Sequence, residues 1–247
     1  PSKDYINLSG KDRQDTSRLI SQMAYDHSDE VIIVDGSNYV DSMSAIQVSA
    51  YLDAPILLNG KAGLDKGTRA EMIRLRAEHA YLVGCNINPK LEADLVEEGC
   101  KVTRISAEKP FDLSYKCGEF ANKNKTTTKK SLILASSEVF ADSLSMSSYS
   151  YANKVPMLLV PKDIDDMAKI INDYGAEEVL VIGGENTISS ESMAKIGKAR
   201  RISGQDRYQT SRIIQKDYYP DSKNSLVASG LTFADTVAAS PLAGLMK

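Results

Sequence analysis

The chain of 247 residues has no tryptophan, two histidines and three cysteines. His27 and His79 are too few for a multi-histidine metal site. Cys85, Cys100 and Cys117 are odd in number and lack Cys-x-x-Cys spacing, which excludes a disulfide framework and a zinc ligand set. They read as small buried residues. No apolar run reaches the roughly 18 residues that cross a bilayer. No signal peptide opens the sequence. The net charge of −3 lacks the basic excess of a nucleic-acid binder. Gly-x-Ser-x-Gly is missing, so no hydrolase nucleophile elbow is encoded. The ribbon Val181-Ile182-Gly183-Gly184-Glu185-Asn186 lacks Gly-x-Gly-x-x-Gly and puts Glu185 where a phosphate would go. No cofactor and no metal are expected.

What the chain does have is repetition. ISGQDRYQTSRII (202–214) matches LSGKDRQDTSRLI (8–20) at eight of thirteen positions. The offset, 202 − 8 = 194, is twice 97. A worn copy stands midway: Arg104-Ile105-Ser106 matches Arg201-Ile202-Ser203, and Ser114 matches Ser211. The chain is an array of units of about 97 residues, large enough for small compact domains. The units are read as 1–103, 104–200 and 201–247. The third lacks counterparts of Pro55-Ile56-Leu57-Leu58 and Tyr81-Leu82-Val83-Gly84, so the natural protein is expected to continue beyond Lys247.

Within each unit short apolar runs alternate with amphipathic ones. In the first, strands are expected at 31–34, 55–58, 80–83 and 101–105, with helices at 41–52, 65–76 and 89–98. The second repeats this with helices at 110–122, 141–152, 164–172 and 189–196 and strands at 132–135, 156–160 and 179–182. A strand at 201–202 opens the third cycle, followed by a helix at 207–217, a strand at 226–228 and a helix at 234–245. The polar run 122–130 reads as a solvated loop. Continuous β-branched runs suit parallel strands buried on both faces. Alternation with short links predicts an α/β fold of tandem small Rossmann-like units, their parallel sheets flanked by helices.

The first repeated motif is Ser-Gly-x-Asp-Arg-x-x-Thr. Asp12 and Asp206 suit N-caps, with Thr16 and Thr210 one turn on. Arg13 and Arg207 sit in the first helical turn, where a cation opposes the helix dipole and needs a partner. A second motif reads VDGSNYVDSMSA (34–45), ASSEVFADSLSM (135–146) and ASGLTFADTVAA (228–239). It places Asp41, Asp142 and Asp235 at helix starts. Tyr39-Val40, Phe140-Ala141 and Phe233-Ala234 precede these acids and are read as staples to the core. The pairs Arg13–Asp41 and Arg207–Asp235 are therefore expected as braces. The second unit has Pro110 instead of arginine, so its pair must differ. Acids recurring unit by unit do not look like a catalytic couple.

Together these residues resemble the cell-wall-binding repeat 2 family of Gram-positive surface and S-layer proteins. The likeness rests on 201–211, Ala228-Ser229-Gly230, Phe233-Ala234-Asp235, Pro55-Ile56-Leu57-Leu58, Pro156-Met157-Leu158-Leu159 and 181–188. The resemblance implies three tandem Rossmann-like units about a pseudo-threefold axis. It implies a non-catalytic module that anchors an exported protein to the wall, with extracellular location. The implied partner is an anionic secondary polymer, a cell-wall polysaccharide or a teichoic-acid-like chain. Other surface-layer proteins are possible partners; nucleic acid is not. The Pro-x-Leu-Leu block is associated with polymer binding, which maps to Ile56, Leu57, Leu58, Met157, Leu158 and Leu159. Arg104 and Arg201 are further polymer candidates among unit-edge arginines that include Arg69, Arg74, Arg76 and Arg200. The second unit departs from the pattern at Ala107, Lys109, Pro110 and Leu113. The alternatives are a Rossmann-like enzyme acting on a small or nucleotide-like substrate and a structural S-layer lattice component.

Overall fold

A computed structural model of the chain describes residues 5–122 and 131–246. The first unit runs α1 (Arg13–Ala24), β1 (Glu30–Asp35), α2 (Tyr39–Leu52), β2 (Ile56–Asn59), α3 (Lys66–Leu75), β3 (His79–Gly84), α4 (Pro89–Glu97) and β4 (Lys101–Ser106). The second runs α5 (Pro110–Asn122), β5 (Ser131–Ser136), α6 (Phe140–Ser143), a 3-10 turn at Leu144–Met146, α7 (Ser147–Asn153), β6 (Met157–Val160), α8 (Ala168–Asp173), β7 (Glu178–Ile182), α9 (Ser190–Ala194) and β8 (Ala199–Ile202). Then come α10 (Arg207–Tyr218) and α11 (Ala234–Leu245). Most of the loop expected at 122–130 lies outside the described residues.

The strands form two four-stranded parallel sheets, ordered β2-β1-β3-β4 and β6-β5-β7-β8. The central runs Val31–Val34 and Leu132–Ala135 are at most 1% exposed, as strands covered on both faces must be. The outer face of the first sheet packs Leu57, Leu75, Leu82 and Leu95 under α3 and α4. The inner faces of both sheets share one core with α2, α7 and α11. The unit boundaries read at 103/104 and 200/201 fall inside β4 and β8. Each of these strands closes the sheet of its own unit and leads into the first helix of the next.

The strand expected at 226–228 does not form. Its apolar pattern is that of β1, but among the described residues it pairs with no strand. Val227 is 94% exposed, whereas Ile33 in the same register is 1% exposed.

The edge strands β2 and β6 are covered by side chains that imitate a neighbouring strand. The Leu58 N–H donates to Ser17 Oγ at 3.1 Å, and the Leu159 N–H to Ser114 Oγ at 2.9 Å. Gln47 of α2 reaches across the unit seam to β6. Its amide nitrogen donates to the carbonyls of Ser114 and Met157, and its oxygen accepts the Met157 N–H at 3.2 Å. Ser114→Ala should cost about 1–3 kcal/mol, because it orphans a buried amide. Ser211 has the same place in α10 but faces solvent, so Ser211→Ala should stay within about 0.5 kcal/mol. Denaturant midpoints check both; equal losses would contradict the edge-cover account.

The units meet through three helices: α2, α7 and α11 pack pairwise. Residues 39, 43, 46 and 50 of α2 have counterparts 140, 144, 147 and 151, then 233, 237, 240 and 244. The Tyr39, Phe140 and Phe233 rings form a triangle with every side 5.9 Å between centroids. They join units rather than stapling each loop to its own core. Further along, Ser240 donates to Ser147 at 2.7 Å. At the far end the Tyr151 hydroxyl reaches Asp53 at 2.8 Å and Tyr25 at 3.0 Å. Cys100 and Cys117 are buried, Cys85 half-buried, and all three are free thiols.

Candidate functional site

The first motif builds a helix start. Asp12 caps α1 by accepting the Asp15 N–H at 2.7 Å, and the Gly10 N–H donates to Thr16 Oγ1 at 3.0 Å. The third unit repeats both bonds: Asp206 accepts the Gln209 N–H at 2.7 Å, and the Gly204 N–H reaches Thr210 Oγ1 at 2.9 Å. These bonds use the acids and threonines within their own turn.

The arginine that follows does not pair with the acid. Arg13 Nη1 donates to the Gly36 carbonyl at 2.7 Å, in the loop after β1. Arg207 makes the same bond to Gly230. The Arg13 guanidinium also lies 5.9 Å from the Phe233 ring centre, tying the first unit to the third. Neither Arg13–Asp41 nor Arg207–Asp235 forms an ion pair in the structure. The brace is side chain to backbone. Its signal was in the sequence: Gly36 and Gly230 are 194 apart, and where Pro110 replaces the arginine, Ser137 replaces the glycine.

The repeated acids turn the other way, toward the third strand of their own sheet. Asp41 Oδ1 accepts the Cys85 N–H at 2.8 Å. A Cβ on Gly84 would lie 2.9 Å from Asp41 Oδ2, and one on Gly183 would lie 3.1 Å from Asp142 Oδ2. Glycine at the strand end thus makes room for the acid. Burial pushes the Asp41 carboxyl up to about 6, against the Cys85 amide bond that lowers it. The Cys85 thiol is pushed up to about 11, by burial first and by Asp41 second.

The six apolar candidates are closed to any ligand. Ile56, Leu57, Leu58, Met157, Leu158 and Leu159 lie in β2 and β6, each at most 2% exposed. Their side chains hold the sheets to the helices and cannot touch a polymer. Arg201 is spent on the loop after β7, donating to the carbonyls of Gly183 and Ile188 at 2.8 Å each. Arg104 pairs with Glu92 at 2.6 Å and keeps 36% of its side chain exposed. Arg69, Arg74 and Arg200 pair with Glu98, Glu71 and Glu178 at 2.8 Å each.

Two small pockets lie at unit seams. The larger, beside Gln47, Tyr51 and Pro156, has about 10 Å³, room for a single water. Among the described residues no group of three or more His, Cys, Asp or Glu is placed to hold a metal. No helix among them is long and apolar enough to cross a membrane.

The family model for cell wall binding domain 2 matches residues 7–86, 104–193 and 201–247. The chain belongs to that family. Cell wall binding domain 2 is a binding domain, and its three matches follow the three repeats. Two Bacillus subtilis proteins are similar throughout the chain. The N-acetylmuramoyl-L-alanine amidase LytC is 25% identical over 244 residues, 97% of this chain and 48% of its own length. The amidase enhancer is 25% identical over 242 residues, 96% of this chain and 33% of its own. The chain thus spans about half or less of these relatives. Among solved structures, Cwp6 from Clostridium difficile superposes with a TM-score of 0.88 at 28% identity, over 97% of this chain and 40% of that one. Cwp8 from the same organism gives 0.84 at 24% identity, over 97% and 43%, and shows the same fold. The family associates the chain with binding at the cell wall.

One feature of this cell wall binding domain escaped sequence reading. Each buried edge-strand block is followed by a lysine in the same register: Pro55-Ile56-Leu57-Leu58-Asn59-Gly60-Lys61 and Pro156-Met157-Leu158-Leu159-Val160-Pro161-Lys162. Both lysines are exposed, and the side chain of Lys61 is 76% exposed.

Proposed function

We propose that this cell wall binding domain is a non-catalytic anchor. It holds an exported protein on the outer wall of a Gram-positive cell through an anionic secondary polymer. The family match across all three repeats carries this reading. The repeated lysines supply the chemistry. Lys61 and Lys162 stand at the carboxyl ends of equivalent edge strands, so a polymer with a repeating anion can engage both. Arg104 adds a third cation. An exposed pair such as Arg104–Glu92 contributes at most about 1 kcal/mol, so a polymer anion can take the place of Glu92. Contacts of this kind are weak singly and strong together, because each bound site raises the local concentration of the next. The buried Leu-Leu blocks act indirectly, by fixing the strand ends that carry the lysines. The pairwise packing of α2, α7 and α11 supports a pseudo-threefold arrangement, which would present equivalent surfaces around one axis.

The test is co-sedimentation with isolated walls. Removal of the anionic polymer should release the protein. Binding retained on polymer-free walls would sink the proposal. K61E/K162E should weaken binding at least about tenfold at low salt, and raising the salt should weaken the unaltered protein in the same direction. A double variant that sediments like the parent would remove the lysines from the site.

A further inference from the structure

All three repeats build the same turn after their first conserved apolar run, and one builds it with a charged side chain. Asp35 stands 101 residues before Ser136 and 194 before Ser229, the offsets that also relate Lys61 to Lys162 and Gly36 to Gly230. Asp35 Oδ1 accepts the Ser37 N–H at 2.8 Å, Ser136 Oγ the Glu138 N–H at 3.1 Å, and Ser229 Oγ the Leu231 N–H at 3.2 Å. In each repeat a short side-chain oxygen accepts the amide two residues on and so fixes the turn. Serine does this without charge. Asp35 does it with one oxygen, which also accepts the Ser37 hydroxyl at 2.7 Å, and has a second oxygen left over.

That second oxygen faces a lysine. Sheet register pairs Asp35 with Asn59 at the ends of β1 and β2, and Ser136 with Val160 at the ends of β5 and β6. Two residues beyond Asn59 and Val160 stand Lys61 and Lys162. Both lysines are mounted alike, by the last helix of their own unit. Asn88 Nδ2, at the start of α4, donates to the Lys61 carbonyl at 2.6 Å, and Ser192 Oγ of α9 donates to the Lys162 carbonyl at 3.1 Å. The charge beside them differs. Asp35 Oδ2 lies 3.9 Å from Lys61 Nζ. Ser136 offers Lys162 no carboxylate, and the acids after Lys162 are engaged elsewhere: Asp163 accepts the Asp165 N–H at 3.1 Å, and Asp165 pairs with Lys195.

We infer that Asp35 is a built-in counter-ion that competes with an anionic ligand for Lys61, so that the first lysine site is weaker than a serine at position 35 would make it. This assignment rests on the anchoring role proposed above for Lys61. An anion arriving at Lys61 must displace a carboxylate, whereas one arriving at Lys162 meets a hydroxyl. The ammonium is largely exposed and the carboxylate half-buried, so their attraction is modest and screened by salt. The turn does not need the charge, because serine makes it twice in the same chain. Asp35→Ser therefore removes the competitor and keeps the backbone bond. The two lysine sites are equal in mounting and unequal in strength, and the residue that sets the difference lies on a neighbouring strand.

The test compares the 247-residue chain with Asp35→Ser and Asp35→Asn. The probes are inorganic pyrophosphate, small enough to report one site at a time, and isolated walls. NMR shifts of the amides at 60–63 follow the first site and those at 162–164 the second. Both substitutions should tighten the pyrophosphate response at 60–63 about threefold at low salt and leave that at 162–164 unchanged. The gain should shrink as salt is raised, since the screening length falls to about 3 Å at 1 M, and it should be lost when Lys61→Ala is added. Glu97→Gln removes a charge of the same sign from the last residue of α4 and should give no gain. Unchanged affinity at 60–63 would overturn the inference. So would equal tightening at both sites or an equal gain from Glu97→Gln, either of which would mark an effect of net charge. No response at 60–63 in any of these proteins would overturn both the inference and the place of Lys61 in the anchor. The expected tightening without stronger sedimentation on walls would uphold Asp35 as counter-ion and remove Lys61 from the wall contact.

Discussion

Gly244→Ala should destabilise the chain by about 3 kcal/mol, the upper part of the range for overpacked cores. Propensity alone argues the other way, since alanine in place of glycine within a helix gains about 1 kcal/mol. Packing wins because the added Cβ would clash with the Cδ1 edge of the Tyr151 ring, well inside contact distance. The ring cannot yield. Its hydroxyl is held by Tyr25 and Asp53, and the residue is 5% exposed. Ala50, Tyr151 and Gly244 share one layer of the three-helix core, and the one large side chain requires two small ones. Tyr151→Ala should cost about 4 kcal/mol through the cavity it leaves. Tyr151→Leu should relieve part of the Gly244→Ala penalty, with a coupling of at least about 1 kcal/mol in a double-mutant cycle read by denaturant unfolding. Additive losses would mean that the two residues do not share that space.

Asp41→Asn should change the pH dependence of stability as well as its value. The folded-state pKa of Asp41 is raised from 3.8 to about 6. A raised carboxyl binds its proton more tightly folded than unfolded, so this group opposes folding above pH 6. The opposition fades as pH falls from about 6 toward 4. The full swing is on the order of 2–3 kcal/mol. Asparagine keeps the acceptor for the Cys85 amide and carries no charge. The variant should therefore be more stable than the parent at pH 7, and the difference should shrink between pH 6 and pH 4. The groups around the carboxyl are Asp35, Cys85 and Cys117. Burial and Asp41 raise both thiols, so neither titrates in that window. Asp15, Asp94 and Asp165 have lowered values and lose their stabilisation only at more acid pH, as pH falls. A stability difference independent of pH would refute the buried-charge account.

Much of the fold was legible because it is written in local periodicity. The helix reading at 110–122 and 234–245 coincides with α5 and α11, and Asp12 caps α1 as its place before Arg13 predicts. Strand positions agree within a residue or two, since β-branched runs bounded by proline and glycine leave few alternatives. The second long helix of the middle unit, expected as continuous at 141–152, is interrupted by the turn at Leu144–Met146. Residues 226–228 have the composition of a strand and lack the neighbours that make one. Composition reports what a segment tolerates, whereas a strand exists only through bonds to another segment.

By itself the sequence determined the repeat, the α/β alternation and the family. Each follows from residue identity and spacing along the chain. The tertiary structure alone decided the partners. Arg13 and Asp41 are 28 positions apart and both begin helices, so sequence reasoning joined them. The order β2-β1-β3-β4 instead places Asp41 beside the end of β3, and the loop after β1 offers its carbonyl to Arg13 first. The same order makes the Leu-Leu strands edges that serine and glutamine cover and that burial closes to solvent. Lys61 and Lys162, just past the ends of those edges, remain exposed. Spacing along a chain cannot show which groups share a sheet edge, because that depends on strand order.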